Sequence, residues 1–118
     1  MLVIYLYKMI EEYQIKGLKK LVNSSAIKDV YPMVNYIDIS HEDTGASGFG
    51  IDFDRLDVDI YLNDETITKE NMYEKDFDPH YLVEYHLKKY LPYFNIDKVR
   101  INFIVYGPNG DIITSWDE

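Results

Sequence analysis

The segment from Ile51 to Leu62 constrains the fold most strongly, because its apolar and polar residues alternate. Successive side chains of a β-strand point to opposite faces, so this pattern predicts a strand with one buried side. The phase changes once, at Arg55 and Leu56, which predicts a β-bulge. The expected inward residues are Ile51, Phe53, Leu56, Val58, Ile60 and Leu62, and the expected outward residues include Asp57, Asp59 and Tyr61.

Three further segments are predicted to be strands. Residues 33–40 predict a strand with Ile37 and Ile39 inward, so that Tyr36, Asp38 and Ser40 point outward. A polar, glycine-rich hairpin loop is expected at residues 41–50. Val99, Ile101, Phe103 and Val105 predict a third strand, and a turn at residues 107–110 leads to a fourth at 112–116.

The N-terminal part predicts an amphipathic helix, although residues 2–7 would also suit a strand. Its expected end is at residues 23–25. Gly17 within it should weaken the helix by about 1 kcal/mol relative to alanine. The expected apolar stripe is Leu6, Ile10, Tyr13, Gly17 and Leu21, opposite Lys8, Glu12, Lys16, Lys19 and Asn23.

A second helix is expected after a charged connector at residues 63–77. Asp78 is a suitable N-cap and Pro79 suits the first helical position. Pro92 should end or kink the helix, and Glu84 should pair with Lys88 one turn away. The expected apolar stripe is Val83, Leu87, Tyr90, Leu91 and Phe94.

These elements predict one α+β domain over residues 1–118. We expect a two-layer sandwich in the order αββαββ, in which two helices cover a four-stranded antiparallel sheet. The chain has 118 residues and no cysteine, which excludes disulfides and thiol chemistry and is typical of a cytoplasmic protein. No segment is apolar for long enough to predict a membrane span.

The negative charge is concentrated in the middle of the chain. The formal net charge is -9, yet residues 38–78 hold thirteen carboxylates against three basic residues, whereas the rest of the chain holds eight acidic and nine basic residues. Such a field repels nucleic acids and anionic membranes and attracts basic partners. Direct binding to nucleic acid or to a membrane is therefore not expected.

Two pairs of carboxylates, Asp52 with Asp54 and Asp57 with Asp59, have the spacing at which strand residues share a face and could hold a divalent cation. A solvated acidic face explains them more simply, because no EF-hand pattern is present. His80, Glu84 and His86 lack a zinc-binding pattern. The glycine-rich segment 45–50 precedes a strand, unlike a phosphate-binding loop. We expect no cofactor, no metal and no catalysis.

The charge and the twelve tyrosines favour a small non-enzymatic protein that occupies a basic site on a partner protein. Inhibitors, immunity proteins and protein mimics of nucleic acid bind in this way, through an acidic surface that occupies a basic site. Two other hypotheses remain, a structural subunit of a homo-oligomer or larger assembly and a metal-dependent enzyme. The expected partner-binding residues are Tyr36, Asp38, Glu42, Asp43, Asp52, Asp54, Asp57, Asp59 and Tyr61.

Overall fold

The strands form one four-stranded sheet with the order β1-β2-β3-β4. This computed structural model describes residues 10–42, 55–97 and 99–117. The strands are β1 (Val34–Glu42), β2 (Arg55–Leu62), β3 (Arg100–Tyr106) and β4 (Ile112–Trp116). Helix α1 (Glu12–Ser24) and a single turn, α2 (Ile27–Val30), precede β1, and a second helical segment at residues 79–94 joins β2 to β3. The α+β class is therefore confirmed.

The sheet is mixed, so the prediction of a fully antiparallel sheet is wrong. β1 pairs antiparallel with β2, and β3 pairs antiparallel with β4, but β2 and β3 run parallel. The physical reason is the helical segment between β2 and β3. It carries the chain back along the sheet, so β3 starts at the same end as β2, as crossover connections require.

The predicted alternation of the strands is confirmed. Ile37 and Ile39 of β1 are buried, and β2 alternates strictly between half-buried and buried residues from Arg55 to Leu62. The inward side chains share one hydrophobic core with residues of α1 and of the 79–94 segment. The bulge predicted at Arg55 and Leu56 is not seen in the described register, where these two residues pair consecutively with Glu42 and His41. The preceding residues 51–54 lie outside the described residues.

Helix α1 ends at Ser24, as predicted, but its buried face was placed wrongly. The buried residues are Gln14, Ile15, Leu18 and Val22, whereas Tyr13 is 69% exposed. The buried Gln14 explains this shift, because its amide donates a hydrogen bond of 2.6 Å to the carbonyl of Phe94. Leu6, Lys8 and the choice between helix and strand at residues 2–7 lie outside the described residues.

Residues 63–77 contribute to the core as well as connecting two elements. Ile67, Met72 and Phe77 are buried, and Phe77 is 0% exposed and packs edge-on against the ring of Tyr31. The prediction of a charged connector therefore missed three core residues. They lie five residues apart, a spacing that matches neither the helical period of 3.6 nor the strand period of 2, so neither period reveals them.

The second helical segment starts as predicted. The Asp78 side chain accepts a hydrogen bond of 3.1 Å from the backbone N–H of Tyr81, with Pro79 at the first helical position. The segment then passes through a π-helical stretch (Leu82–Leu87) to a 3-10 stretch (Lys88–Phe94) that contains Pro92. Among its residues, Val83, Leu87 and Leu91 are buried as predicted, and Lys88 donates to Glu84 at 2.7 Å.

Candidate protein-binding face

The outward side chains of the four strands form one surface, which we call the open face. Strand register places them in rows across the sheet, because paired residues point to the same side. Each of them is half-buried or exposed, whereas the inward residues Ile37, Val58 and Phe103 are buried. The open face comprises Tyr36, Asp38 and Ser40 of β1, Asp57, Asp59 and Tyr61 of β2, Asn102, Ile104 and Tyr106 of β3, and Ile112 and Ser115 of β4.

One row of the open face is aromatic, and we call Tyr36, Tyr61 and Tyr106 the tyrosine row. Tyr61 pairs in register with Tyr36 on one side and with Tyr106 on the other. The rings of Tyr61 and Tyr106 are stacked, with centroids 5.0 Å apart and planes at 12°. The rings of Tyr36 and Tyr61 are farther apart, at 6.5 Å and 32°. The tyrosine row is therefore closed at one end and opens as a wedge at the other.

The next row holds two carboxylates. Asp38 and Asp59 are paired directly across β1 and β2, and Asp57 lies two residues from Asp59 on the same face. Partial burial raises the pKa of Asp59, and the charges of Asp38 and Asp57 raise this pKa further. Ionised Asp59 is therefore held in an environment that favours an added positive charge.

Two basic side chains already neutralise the neighbours of Asp59. Lys19 of α1 lies 3.2 Å from Asp38, and Arg55 lies 3.2 Å from Asp57. The hydrogen bond with Asp38 and its charge raise the pKa of Lys19. Within the described parts of the chain, Asp59 itself makes no ion pair and accepts no hydrogen bond. Asp59 is thus the carboxylate of this row that can accept a cation from outside.

Two depressions lie on either side of this carboxylate row. The larger is an open groove of about 740 Å³ that contains Tyr36, Asp38 and Tyr61 in its walls, with Gly107 and Pro108 on the far side. The smaller, about 290 Å³, lies between Asp57, Asp59 and Asn102, with Ile104 and Asp117 in its walls. The larger groove has aromatic and apolar walls beside a carboxylate, a combination that suits a long basic side chain. The smaller depression is mainly polar and also contains Arg55.

The structure brings together five of the nine expected partner-binding residues, namely Tyr36, Asp38, Asp57, Asp59 and Tyr61. Glu42 ends β1, but its side chain lies outside the described part, as do Asp43, Asp52 and Asp54. The sequence prediction missed Asn102 and Tyr106 as members of the same surface. The alternation of β3 places them outward, but only the parallel pairing of β2 with β3 shows that they neighbour β2.

The histidines considered as metal ligands have aromatic neighbours. His80 contacts the rings of Phe103 and Trp116, with centroids at 5.1 and 4.8 Å. His86 packs against Tyr31 at 5.7 Å, and burial lowers its pKa, with a smaller contribution from Lys89. Within residues 10–42, 55–97 and 99–117, no group of three or more potential ligand side chains is placed to hold a metal ion.

None of the helices in the described ranges is both long and apolar enough to cross a membrane. Comparisons with protein-family models, with curated proteins and with solved structures found no match.

Proposed function

We propose that this protein is a small, non-enzymatic binding protein whose open face occupies a basic site on a partner protein. The observation that carries the proposal is the position of Asp59. It lies between Asp38 and Asp57, in a half-buried row where each neighbour already has a basic partner. A cation supplied by another protein would relieve the repulsion that raises the pKa of Asp59.

The chemistry of the surrounding face supports a protein partner. Tyrosine offers a rigid aromatic ring with a polar end, and tyrosines are enriched at protein interfaces. The tyrosine row lies beside the carboxylates, so a partner could bury apolar and charged groups together. The negative field of residues 38–78 would steer a basic surface toward this face and repel nucleic acid.

Such a protein would act as an inhibitor or as an immunity protein. Asp57 and Asp59 are two residues apart on a strand, so their side chains repeat at about 7 Å along the face. Carboxylates at this spacing, within the acidic segment 38–78, would compete for the lysine and arginine groups with which a basic protein binds phosphates. Imitation of a nucleic acid is the form of inhibition that this arrangement favours.

The test removes charge from the open face and compares the result with an equal removal elsewhere. The variant Asp57→Asn/Asp59→Asn loses two charges on the face. The matched control Glu70→Gln/Glu74→Gln loses two charges on exposed residues of the connector, away from both depressions. Proteins from the native host are captured on the wild-type protein and on both variants.

A true partner is retained by the wild-type protein and the control but lost or weakened on the open-face variant. Binding kinetics with that purified partner should then show association that slows as ionic strength rises, because charge steers the encounter. Equal capture and equal rates for both variants at every salt concentration would overturn the proposal.

A second candidate function is a subunit of a homo-oligomer or larger assembly. The observation that favours it is the edge strand β4, which pairs with β3 and no other described strand. Ile112 is 62% exposed and Trp116 is 49% exposed on this strand. Light scattering of the wild-type protein and of Ile112→Lys separates the two functions, since a multimer that this substitution dissociates supports the assembly.

A further inference from the structure

We infer that the wedge between Tyr36 and Tyr61 is a subsite for an arginine side chain of the partner, with Asp59 as the acceptor of its hydrogen bonds. This inference rests on the proposed function and names the chemistry of the contact. The wedge forms one wall of the larger groove, which is open to solvent along the sheet surface.

The separation of the rings suits a planar group. A flat guanidinium held between two aromatic rings needs about 3.5 Å on each side, or about 7 Å in all. The centroids of Tyr36 and Tyr61 are 6.5 Å apart with planes inclined by 32°. Tyr36 lies on the edge strand β1 and is 39% exposed, so a small outward rotation admits the guanidinium.

The other ring gap in the row does not offer this space. Tyr61 and Tyr106 are 5.0 Å apart and nearly parallel, so these two rings already contact each other. Tyr61 is therefore held from behind by Tyr106, while its opposite face is turned toward Tyr36. A guanidinium in the wedge would extend an existing stack of rings and gain cation–π attraction from both sides.

The carboxylates complete the subsite. Asp38 follows Tyr36 by two residues and Asp59 precedes Tyr61 by two, so in this antiparallel pair both carboxylates lie about 7 Å along the sheet from the tyrosine row, on the same face. Asp38 Oδ1 already accepts from Lys19 and from the N–H of Ile39, at 3.2 and 3.0 Å. Asp59 has no such bonds within the described residues, so the fork of a guanidinium can bind it through two donors.

Arginine fits these features better than lysine. Its guanidinium is flat, stacks on aromatic rings and offers donors in a fixed geometry, whereas an ammonium is a compact and strongly hydrated charge. Lys19 binds Asp38 in the second manner, through a single contact of 3.2 Å from its ammonium.

The experiment follows the tyrosine ring resonances by NMR during titration with N-acetyl-arginine methylamide. The matched probes are the lysine and citrulline derivatives, the latter having nearly the shape of arginine without its charge. We expect shifts at Tyr36 and Tyr61, with arginine binding at least about threefold more tightly than lysine. Citrulline should cause no saturable shift.

Asp59→Asn and Tyr36→Leu should each abolish the preference for arginine, and Tyr93→Leu, at a 72% exposed tyrosine elsewhere, should keep it. Thermal melting of each variant verifies that it is folded.

Equal affinity for arginine and lysine, or shifts confined to other tyrosines, would overturn the subsite. If the open-face charge variant loses its protein partner while arginine shows no preference, only the subsite fails. If arginine binds as expected but the open-face charge variant captures the partner as well as the wild-type protein does, only the proposed function fails.

Discussion

Asp38 and Asp59 face each other directly across β1 and β2, so two carboxylates share one row of the open face. Like charges in directly opposed strand positions oppose folding. Lys19 offsets the charge of Asp38 from the edge of the sheet. The protein therefore retains an unfavourable interaction at Asp59, which is typical of residues kept for binding.

Asp59→Asn should stabilise the protein at neutral pH. The pKa of Asp59 is raised, so its ionised form opposes folding. This cost is absent below the ordinary value of 3.8 and develops as the pH rises through the raised pKa. We expect a gain of about 0.2–1 kcal/mol in the free energy of unfolding at pH 7 and none at pH 3. Denaturant melts of both proteins across this range test it, with Glu70→Gln as the control. A gain that does not change with pH would contradict this origin.

Gly17→Ala should destabilise the protein although alanine favours helices. A Cβ atom at Gly17 would lie 2.5 Å from Cε1 of Phe94. Such overpacking costs about 1–3 kcal/mol, which exceeds the gain of about 1 kcal/mol in helix propensity. Urea unfolding measures the difference, and the exposed Lys20→Ala on the same helix should change little. In a double-mutant cycle, Phe94→Leu should recover most of the loss. An additive cycle would show that the two residues do not interact.

Asn23→Ala should loosen the edge of the sheet. The Asn23 side chain accepts a hydrogen bond from the N–H of Ile37 at 2.9 Å and donates one to its carbonyl at 2.7 Å. Loss of both leaves backbone groups without partners and should cost about 1–3 kcal/mol. Hydrogen exchange at the Ile37 amide should accelerate, whereas exposed Asn35→Ala should leave it unchanged. Unaltered protection of Ile37 in Asn23→Ala would refute the role of this contact.

Phe77→Ala should have the largest effect of these substitutions. The side chain is 0% exposed and contacts Tyr31, so its removal leaves a cavity. We expect a loss of about 3–5 kcal/mol in the free energy of unfolding. Tyr73→Ala, at a 55% exposed position of the same connector, should cost about 0.5 kcal/mol or less. Similar losses for the two variants would mean that the connector does not anchor in the core.

The strands could be predicted from the sequence because their information is local. The alternation of Ile37 with Asp38, or of Val58 with Asp59, indicates which face is buried without any knowledge of the neighbours. The same patterns do not say which strands are adjacent or in which direction they run. The parallel pairing of β2 and β3 depends on the path of residues 79–94, a long-range property that no local period encodes.

Helix α1 shows a second limit of prediction from the sequence. Its buried face includes Gln14, a polar residue that is satisfied by a hydrogen bond to Phe94, and excludes Tyr13, whose ring is exposed. Hydrophobic periodicity cannot anticipate a buried polar residue whose partner lies eighty positions away. The open face was partly predictable for a similar reason: its β1 and β2 residues follow from alternation, but its β3 residues depend on strand order.

The two borders of the sheet differ in a way that limits self-association. Along the free edge of β1, the backbone N–H and carbonyl of Ile37 bind the Asn23 side chain, and the N–H of Ile39 binds the Asp38 side chain. A further strand cannot pair with this edge without displacing these side chains. β4 carries no such contacts among the described hydrogen bonds. Any growth of the sheet by strand addition would thus proceed from one border only. Two copies joined through β4 would close on themselves about a two-fold axis, which makes an open-ended filament unfavourable.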